Sequence, residues 1–131
     1  MTEKGTIFVV DDDPFTLAVV AQILRKAGYA VELFDGPKAF LASSALRRHG
    51  CVVLDMNMPD FSGLDLQELI ADRGGTLRVI FLTGTRDVRN SVRAMKEGAV
   101  DFLLKPVDAD ELLAAVRRAL TDGGRRRAVK E

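Results

Sequence analysis

The sequence has little of several features that would point to particular classes of protein. Its one cysteine, Cys51, has no partner in the chain, which excludes a disulfide framework and favours a small core residue in a reducing compartment. Nineteen basic residues balance nineteen acidic ones, so net charge gives no argument for a nucleic-acid or membrane partner. Apolar runs are too short for a membrane span, and the first residues lack the apolar region of a signal peptide. A cytoplasmic protein is expected.

What the chain does contain is a regular alternation of apolar runs with helical patterns, which is typical of βαβ units and a parallel sheet. At 131 residues, one domain with its own core is expected. The predicted strands cover residues 6–10, 29–34, 51–54, 77–82 and 100–104. The predicted helices cover about 14–27, 37–46, 64–70, 88–97 and 109–120.

Right-handed crossovers between five such strands give an α/β fold of the flavodoxin-like kind, a doubly wound parallel sheet with helices on both faces. The spatial order 2-1-3-4-5 is attractive because it puts strands one and three side by side, although the sequence does not fix it. We predict one domain over residues 1–122. Gly123 and Gly124 are expected to stop the last helix, leaving residues 123–131 as a flexible basic tail or linker stub.

Four of the predicted strands end at polar residues. Asp11 and Asp12 follow the first strand, Asp55 the third, Thr83 the fourth and Lys105 the fifth. The carboxyl ends of parallel strands line one edge of a sheet, where ligands bind. Three carboxylates, a hydroxyl and an ammonium gathered there suit a divalent cation beside a phosphoryl group.

Several short motifs occur in a fixed order around these residues. They are Val9-Val10-Asp11-Asp12-Asp13-Pro14, Val53-Leu54-Asp55-Met56-Asn57-Met58-Pro59 with Gly63, Leu82-Thr83-Gly84, and Gly98-Ala99-Val100-Asp101-Phe102 leading to Lys105-Pro106. With them the chain resembles, over residues 6–121, the receiver domain of bacterial two-component response regulators, which has the CheY-like fold. FixJ/NarL-type regulators look most similar, and their output is a helix-turn-helix DNA-binding domain.

The resemblance implies that Asp55 accepts a phosphoryl group from the phosphohistidine of a sensor histidine kinase or from a phosphotransfer protein. It also implies a cofactor, Mg²⁺ or Mn²⁺, with Asp12 and Asp55 as direct ligands, Asp11 acting through water and the Asn57 backbone carbonyl completing the set. Each of these acids has a plainer reading, as the start of a turn or the cap of a helix. For Asp13, next to a proline, the helix cap is preferred.

The remaining site residues also take their roles from the resemblance. Lys105 would pair with the Asp55 carboxylate and later with its phosphate. A cis Lys105–Pro106 bond, which the resemblance implies, would aim the Lys105 ammonium into the pocket. Thr83 would be the switch donor, its hydroxyl bonding the new phosphate, and Phe102 would turn inward to fill the space that Thr83 leaves. The plainer alternatives are a lysine at a solvated strand end, a threonine that merely ends a strand, and a permanently buried core ring at Phe102.

The surface made by the fourth helix, fifth strand and fifth helix is expected to read out phosphorylation. Basic residues on the outer side of the fourth helix are Arg86, Arg89, Arg93 and Lys96. A homodimer through this surface is expected, with Asp101 and Arg117 or Arg118 pairing across it, although ordinary solvated charge explains any one of them equally well. DNA would be contacted only through an output domain outside this chain, and a free-standing receiver is the alternative. No membrane partner is expected.

Two other functional classes compete with this interpretation. A haloacid-dehalogenase-like phosphatase also uses an aspartate nucleophile with Mg²⁺, but it has a second aspartate two residues later, where this chain has Asn57. A nucleotide-binding module would need a glycine-rich motif after the first strand, and neither G-x-G-x-x-G nor G-x-x-x-x-G-K-[ST] is there. A phosphoacceptor that assists its own phosphorylation and dephosphorylation, not a turnover enzyme, is expected.

Overall fold

The computed structural model describes residues 5–59, 61–73, 76–85 and 87–130. The strands are β1 (Thr6–Val10), β2 (Ala30–Phe34), β3 (Cys51–Asp55), β4 (Asn57–Met58), β5 (Phe61–Ser62), β6 (Arg78–Thr83) and β7 (Asp101–Leu104). The α-helices are α1 (Pro14–Lys26), α2 (Pro37–Ala42), α3 (Gly63–Asp72), α4 (Val88–Lys96) and α5 (Ala109–Lys130), and a 3₁₀ turn covers Ser44–Arg47.

Five strands form one parallel sheet in the order β2-β1-β3-β6-β7. The predicted order 2-1-3-4-5 is confirmed, because β4 and β5 are a two-residue antiparallel hairpin outside this sheet, which makes β6 and β7 its fourth and fifth strands. The register pairs Val10 of β1 with Leu54 of β3. The residues that follow this pair, Asp11 and Asp55, therefore end neighbouring strands.

The two central strands are buried on both faces, as their unbroken apolar sequences predict. Alternate side chains point into two separate clusters, one on each side of the sheet. Phe8 and Leu54 belong to the cluster that holds Phe40 and Phe81, whereas Val9 and Val53 pack in the other cluster with Leu24 and Leu112. A rigid double layer thus supports the strand ends that carry the polar residues.

The structure corrects the predicted second helix, which ends early. The Ser43 hydroxyl donates to the Phe40 carbonyl at 2.7 Å and accepts the Ala45 N–H at 3.1 Å. A serine hydroxyl that bonds neighbouring backbone groups in this way competes with the helical ladder. The predicted single helix over 37–46 is therefore α2 followed by a 3₁₀ turn.

The structure also corrects the predicted end of the last helix, since α5 continues through Gly123 and Gly124 to Lys130. Glycine costs a helix about 1 kcal/mol relative to alanine, which weakens a helix without stopping it, and residues 125–131 contain no proline. A role for residues 123–131 as a linker remains a prediction. Within the described ranges, no helix combines the length and the apolar character needed to cross a bilayer.

Candidate functional site

The carboxylates predicted to converge do lie together. One carboxylate oxygen each from Asp11, Asp12 and Asp55 can be chosen so that all three lie within 4.8 Å of one another. Asp11 and Asp55 are buried at the ends of β1 and β3, and Asp12 is exposed at the rim. Neighbouring parallel strands that end at the same level put these side chains in one place.

The ammonium of Lys105 lies between the two buried acids. Its Nζ atom is 3.1 Å from Asp11 Oδ2 and 3.6 Å from Asp55 Oδ1. Burial lowers the pKa of Lys105, but the ion pairs with Asp11 and Asp55 outweigh it, so the net pKa is raised. The lysine is therefore charged at neutral pH. The sequence-based prediction paired it with Asp55 alone and missed the shorter contact to Asp11.

The burial of Asp11 could have been predicted from its position in the sequence. Asp11 is the residue directly after a strand buried on both faces, so its side chain is more deeply placed than that of Asp12.

The bond between Lys105 and Pro106 is cis, as the resemblance predicted. The Lys105 N–H also donates to the Thr83 carbonyl at 2.8 Å, which links the ends of β6 and β7.

The Asp55 carboxyl is held in an environment that disfavours its negative charge. Burial raises its pKa to about 6, and the negative charge of Asp11 acts in the same direction, against the positive charge of Lys105. The Asn57 N–H donates to Asp55 Oδ1 at 3.2 Å. Three carboxylates near one ammonium leave an excess of negative charge in the pocket, which a cation would neutralise.

The donor set fits a hard divalent cation. Mg²⁺ and Mn²⁺ prefer carboxylate, carbonyl and water oxygens, and the three acids offer carboxylate oxygens. Asp11 Oδ2 is buried, and the ammonium of Lys105 lies 3.1 Å from it. Asn57 lies two residues after Asp55 and is the first residue of β4, so its carbonyl belongs to the loop that leaves β3.

Asp13 does not belong to this set. Its carboxylate accepts the Phe15 N–H at 3.1 Å and the Thr16 hydroxyl at 2.9 Å, and it caps α1. The hydrogen bond from Thr16 lowers the pKa of the Asp13 carboxyl. Its predicted role as a helix cap is confirmed.

The two predicted switch residues lie on the two strands that follow β3 in the sheet, Thr83 at the end of β6 and Phe102 within β7. Thr83 is buried at the end of β6, and its hydroxyl donates to the Thr85 carbonyl at 3.0 Å and accepts the Thr85 N–H at 3.3 Å. Phe102 is half-buried on β7, with its ring 6.1 Å from that of Phe81. The alternative of a fully buried core ring at Phe102 does not describe this structure.

A close approach fixes the loop after the central acid. The Gly63 N–H donates to the Met56 carbonyl at 2.9 Å. A Cβ atom on Gly63 would lie 2.7 Å from the Asp55 carbonyl oxygen and 2.8 Å from Cε1 of Phe81. Only glycine lets the start of α3 pack this tightly against the end of β3.

The predicted readout surface carries an exposed apolar face. Val88, Val92 and Met95 of α4 are 70%, 48% and 43% exposed. Arg118 of α5 forms an ion pair with Asp101 of the same chain. The two residues that were predicted to pair across a dimer are therefore paired within one molecule. Arg86 lies outside the described residues.

Sequence reasoning also missed a side chain beside the pocket. Phe15, at the first turn of α1, is 74% exposed. It borders a groove of about 540 Å³ that Gly84, Lys105, Pro106 and Val107 also line. Its exposure could have been predicted from its position, because a phenylalanine directly after a helix-capping Asp-Pro pair lies outside the apolar stripe of that helix.

Comparisons with known proteins identify one family. The family model of the response regulator receiver domain matches residues 7–117. The chain is 38% identical over 118 residues to the response regulator protein TmoT of Ectopseudomonas mendocina, covering 90% of this chain and 54% of that protein. It is 40% identical over 120 residues to the transcriptional regulatory protein FixJ of Bradyrhizobium diazoefficiens, covering 92% and 58%.

The fold agrees as well. The crystal structure of full-length FixJ from B. japonicum superposes with a TM-score of 0.87 at 37% identity, covering 97% of this chain and 63% of that one. The chain thus spans little more than half the length of the curated relatives it matches. The family model covers well over half of the chain, and on that ground the protein belongs to the response regulator receiver domains of two-component systems.

Proposed function

We propose that Asp55 is the residue that accepts a phosphoryl group, in a reaction that depends on Mg²⁺ or Mn²⁺. The observation that carries the proposal is the convergence of three acidic side chains and the Lys105 ammonium at the carboxyl edge of the sheet. Asp11, Asp12 and Asp55, with the Asn57 carbonyl, would hold the cation. A bound divalent cation supplies positive charge to the oxygens of the transferring phosphoryl group.

The chemistry is a substitution at phosphorus. An oxygen of the ionised Asp55 attacks the phosphorus of the donor, the new O–P bond forms an acyl phosphate, and the bond from phosphorus to the donor breaks. With phosphohistidine as donor, the imidazole nitrogen leaves with the bonding electrons and takes up a proton. Lys105 stabilises the negative charge on the phosphoryl oxygens throughout.

The test is the intact mass of the protein after incubation with acetyl phosphate, with Mg²⁺ and with a chelator. We expect one added HPO₃ unit that requires the metal, and none in Asp55→Asn. Asp65→Asn is the matched control, because Asp65 is an exposed carboxylate on α3 that is not one of the three converging acids. Undiminished labelling of Asp55→Asn would overturn the assignment, and steady turnover of a generic phosphate ester would favour a phosphatase instead.

For the switch, we infer that phosphate competes for the hydroxyl of Thr83. That hydroxyl is at present bonded to the backbone of Thr85, two residues along the same loop. A phosphate brings about −1.5 to −2 charge and strong acceptor oxygens, so it is a better acceptor than a peptide carbonyl. Exchange of this bond would move the loop, with Phe102 turning into the space released.

For the output, we infer that the α4–β7–α5 surface meets another copy of the chain or a downstream module. Its support is the exposed apolar residues of α4, flanked by the exposed basic residues Arg89, Arg93 and Lys96. Size-exclusion chromatography with and without acetyl phosphate measures the first outcome. DNA binding and transcription control would require an output domain beyond this chain, as in regulators of FixJ type.

For the phosphoryl donor, we infer that a sensor kinase or phosphotransfer protein contacts the groove beside Phe15. A largely exposed aromatic ring within reach of the pocket offers apolar area that a partner would cover while its phosphohistidine reaches Asp55. Phe15→Ala should slow transfer from a protein donor and leave labelling by acetyl phosphate unchanged. Equal slowing with both donors would place the defect in the pocket itself.

A further inference from the structure

The fourth helix is attached to the rest of the fold by very few buried groups. Among its residues only Ala94 is buried, and its larger apolar side chains face outward. A helix whose apolar face is uncovered gains little from packing, so its position depends on the contacts at its ends. The contacts around Ala94 are therefore decisive for where α4 lies.

The carboxyl end of α4 is closed by hydrogen bonds of the Schellman type. Gly98 has a φ of 107°, its N–H donates to the Met95 carbonyl at 3.0 Å, and the Ala99 N–H donates to the Ala94 carbonyl at 3.0 Å. A second donor reaches the same Ala94 oxygen from another helix. The side-chain amide of Gln67 on α3 donates to it through Nε2 at 3.1 Å.

Gln67 is an unusual residue for this place. It is 4% exposed, and its Oε1 is buried with no hydrogen-bond partner among the described residues. A buried acceptor without a donor costs stability, and a methionine would fill a similar volume without that cost. Methionine has no N–H group, so it could not donate the hydrogen bond that Gln67 makes to the Ala94 carbonyl at the end of α4.

The other end of α3 is fixed at the phosphoacceptor site. Gly63 begins this helix, donates its N–H to the Met56 carbonyl and packs against the Asp55 backbone. Gln67 follows Gly63 by four residues, which is about one helical turn. One turn of helix thus joins the strand end that carries Asp55 to the carbonyl that anchors α4.

We propose that Gln67 is a positioning residue that fixes α4 against α3 and couples the loop after Asp55 to α4, by a path separate from Thr83 and Phe102. The anchoring part stands on the geometry alone. The coupling part rests on the proposed phosphorylation of Asp55. Gln67 touches neither a donor nor the carboxylates, so its effect is on the response of α4 and not on the chemical step.

The test is hydrogen exchange of backbone amides in Gln67→Met, read by mass spectrometry at peptide resolution. We expect amides in the last turn of α4 to exchange about tenfold faster than in the wild type, with β1 and β3 unchanged, since one local hydrogen bond is lost. Gln22→Met is the matched control, because Gln22 is exposed on α1. Gln67→Asn, which keeps the amide but shortens the side chain, gives the same local result if Gln67→Met does not fold.

The same samples are labelled with acetyl phosphate and Mg²⁺. We expect Gln67→Met to be labelled like the wild type but to show a smaller change in α4 exchange on phosphorylation. Unchanged α4 exchange, or equal acceleration in α4 and in β1 and β3, would overturn the anchoring role. A phosphorylation-induced change as large as that of the wild type would overturn the coupling role. If the wild type is not labelled, the proposed function fails, while exchange in the unlabelled proteins still decides the anchoring role.

Discussion

The helices α1 and α4 have apolar residues at similar spacing, yet their apolar faces differ in burial. In α1 the apolar stripe is covered, with Val20 and Leu24 fully buried against the sheet. In α4 the corresponding face is open, with Val88 and Val92 exposed. One helix is part of the scaffold that fixes the carboxylates, and the other is held at few points. Periodicity shows that a helix has an apolar face, but it does not show what covers it.

The largest difference should appear when the same side chain is truncated in each helix. Val20→Ala removes methyl groups from a closed core and should lower the free energy of unfolding by about 2–3 kcal/mol. Val92→Ala, at an exposed position, should change it by less than about 0.5 kcal/mol. Urea unfolding followed by circular dichroism measures both. Similar losses in the two variants would mean that α4 is packed as firmly as α1.

A second prediction compares two glycines on the site side of the sheet. Gly63→Ala should cost about 2 kcal/mol, because its Cβ would meet the Asp55 carbonyl and the Phe81 ring, neither of which can move freely. In Gly36→Ala the Cβ meets no atom within 4 Å, so a much smaller change is expected. Thermal unfolding of both variants is the measurement. A Gly63→Ala protein as stable as Gly36→Ala would show that the loop adjusts without strain.

The third prediction concerns pH. The pKa of the Asp55 carboxyl in the folded protein is raised to about 6 from its ordinary value of 3.8, so the folded state binds the proton more tightly than the unfolded state. The contribution of this carboxyl to stability should therefore fall as pH rises from about 4 to 6 and then level off. Asp55→Asn removes the stability loss that comes with ionisation of this carboxyl, because asparagine carries no charge. In the presence of a chelator it should stabilise the protein by about 1–2 kcal/mol at pH 7 and by almost nothing at pH 4, since Lys105 also loses a partner.

Urea titrations of the wild type and Asp55→Asn at the two pH values provide the comparison. Asp65→Asn serves again as control and should show no such dependence on pH. A gain for Asp55→Asn that is equal at pH 4 and pH 7 would show that ionisation of this carboxyl is not the cause.

The smallest effect is expected at the surface pair of β7 and α5. Asp101 and Arg118 form an ion pair that remains accessible to solvent. Exposed pairs of this kind contribute about 0.5 kcal/mol, which salt reduces further. A double-mutant cycle with Asp101→Ala and Arg118→Ala at low and high salt measures the coupling. A coupling energy well above 1 kcal/mol that persists in salt would show that this edge is more rigid than its exposure indicates.

Much of the fold could be predicted from sequence because its signals are local. Runs of apolar residues buried on both faces identify the central strands, and the polar residues that end them identify the edge where the site forms. The strand order was favoured because it unites Asp11 with Asp55, and the structure confirms it. The helix cap at Asp13 was likewise readable from its neighbour Pro14.

What could not be predicted depends on contacts between distant parts of the chain. No sequence pattern shows that Lys105 is nearer to Asp11 than to Asp55, because the two distances differ by only 0.5 Å (3.1 Å and 3.6 Å). The bond from Gln67 to the Ala94 carbonyl spans 27 residues. The length of α5 was misjudged because glycine weakens a helix by an amount that its neighbours can offset.

We propose that phosphorylation of Asp55 is read out in α4 while α1 stays in place. The most direct test is to follow backbone amide resonances by NMR on adding acetyl phosphate to protein already saturated with Mg²⁺. We expect new shifts at Asp55, at Thr83 and along α4, with the buried half of α1 almost unchanged and no response in Asp55→Asn. Shifts confined to the pocket, or shifts of equal size in α1 and α4, would contradict it.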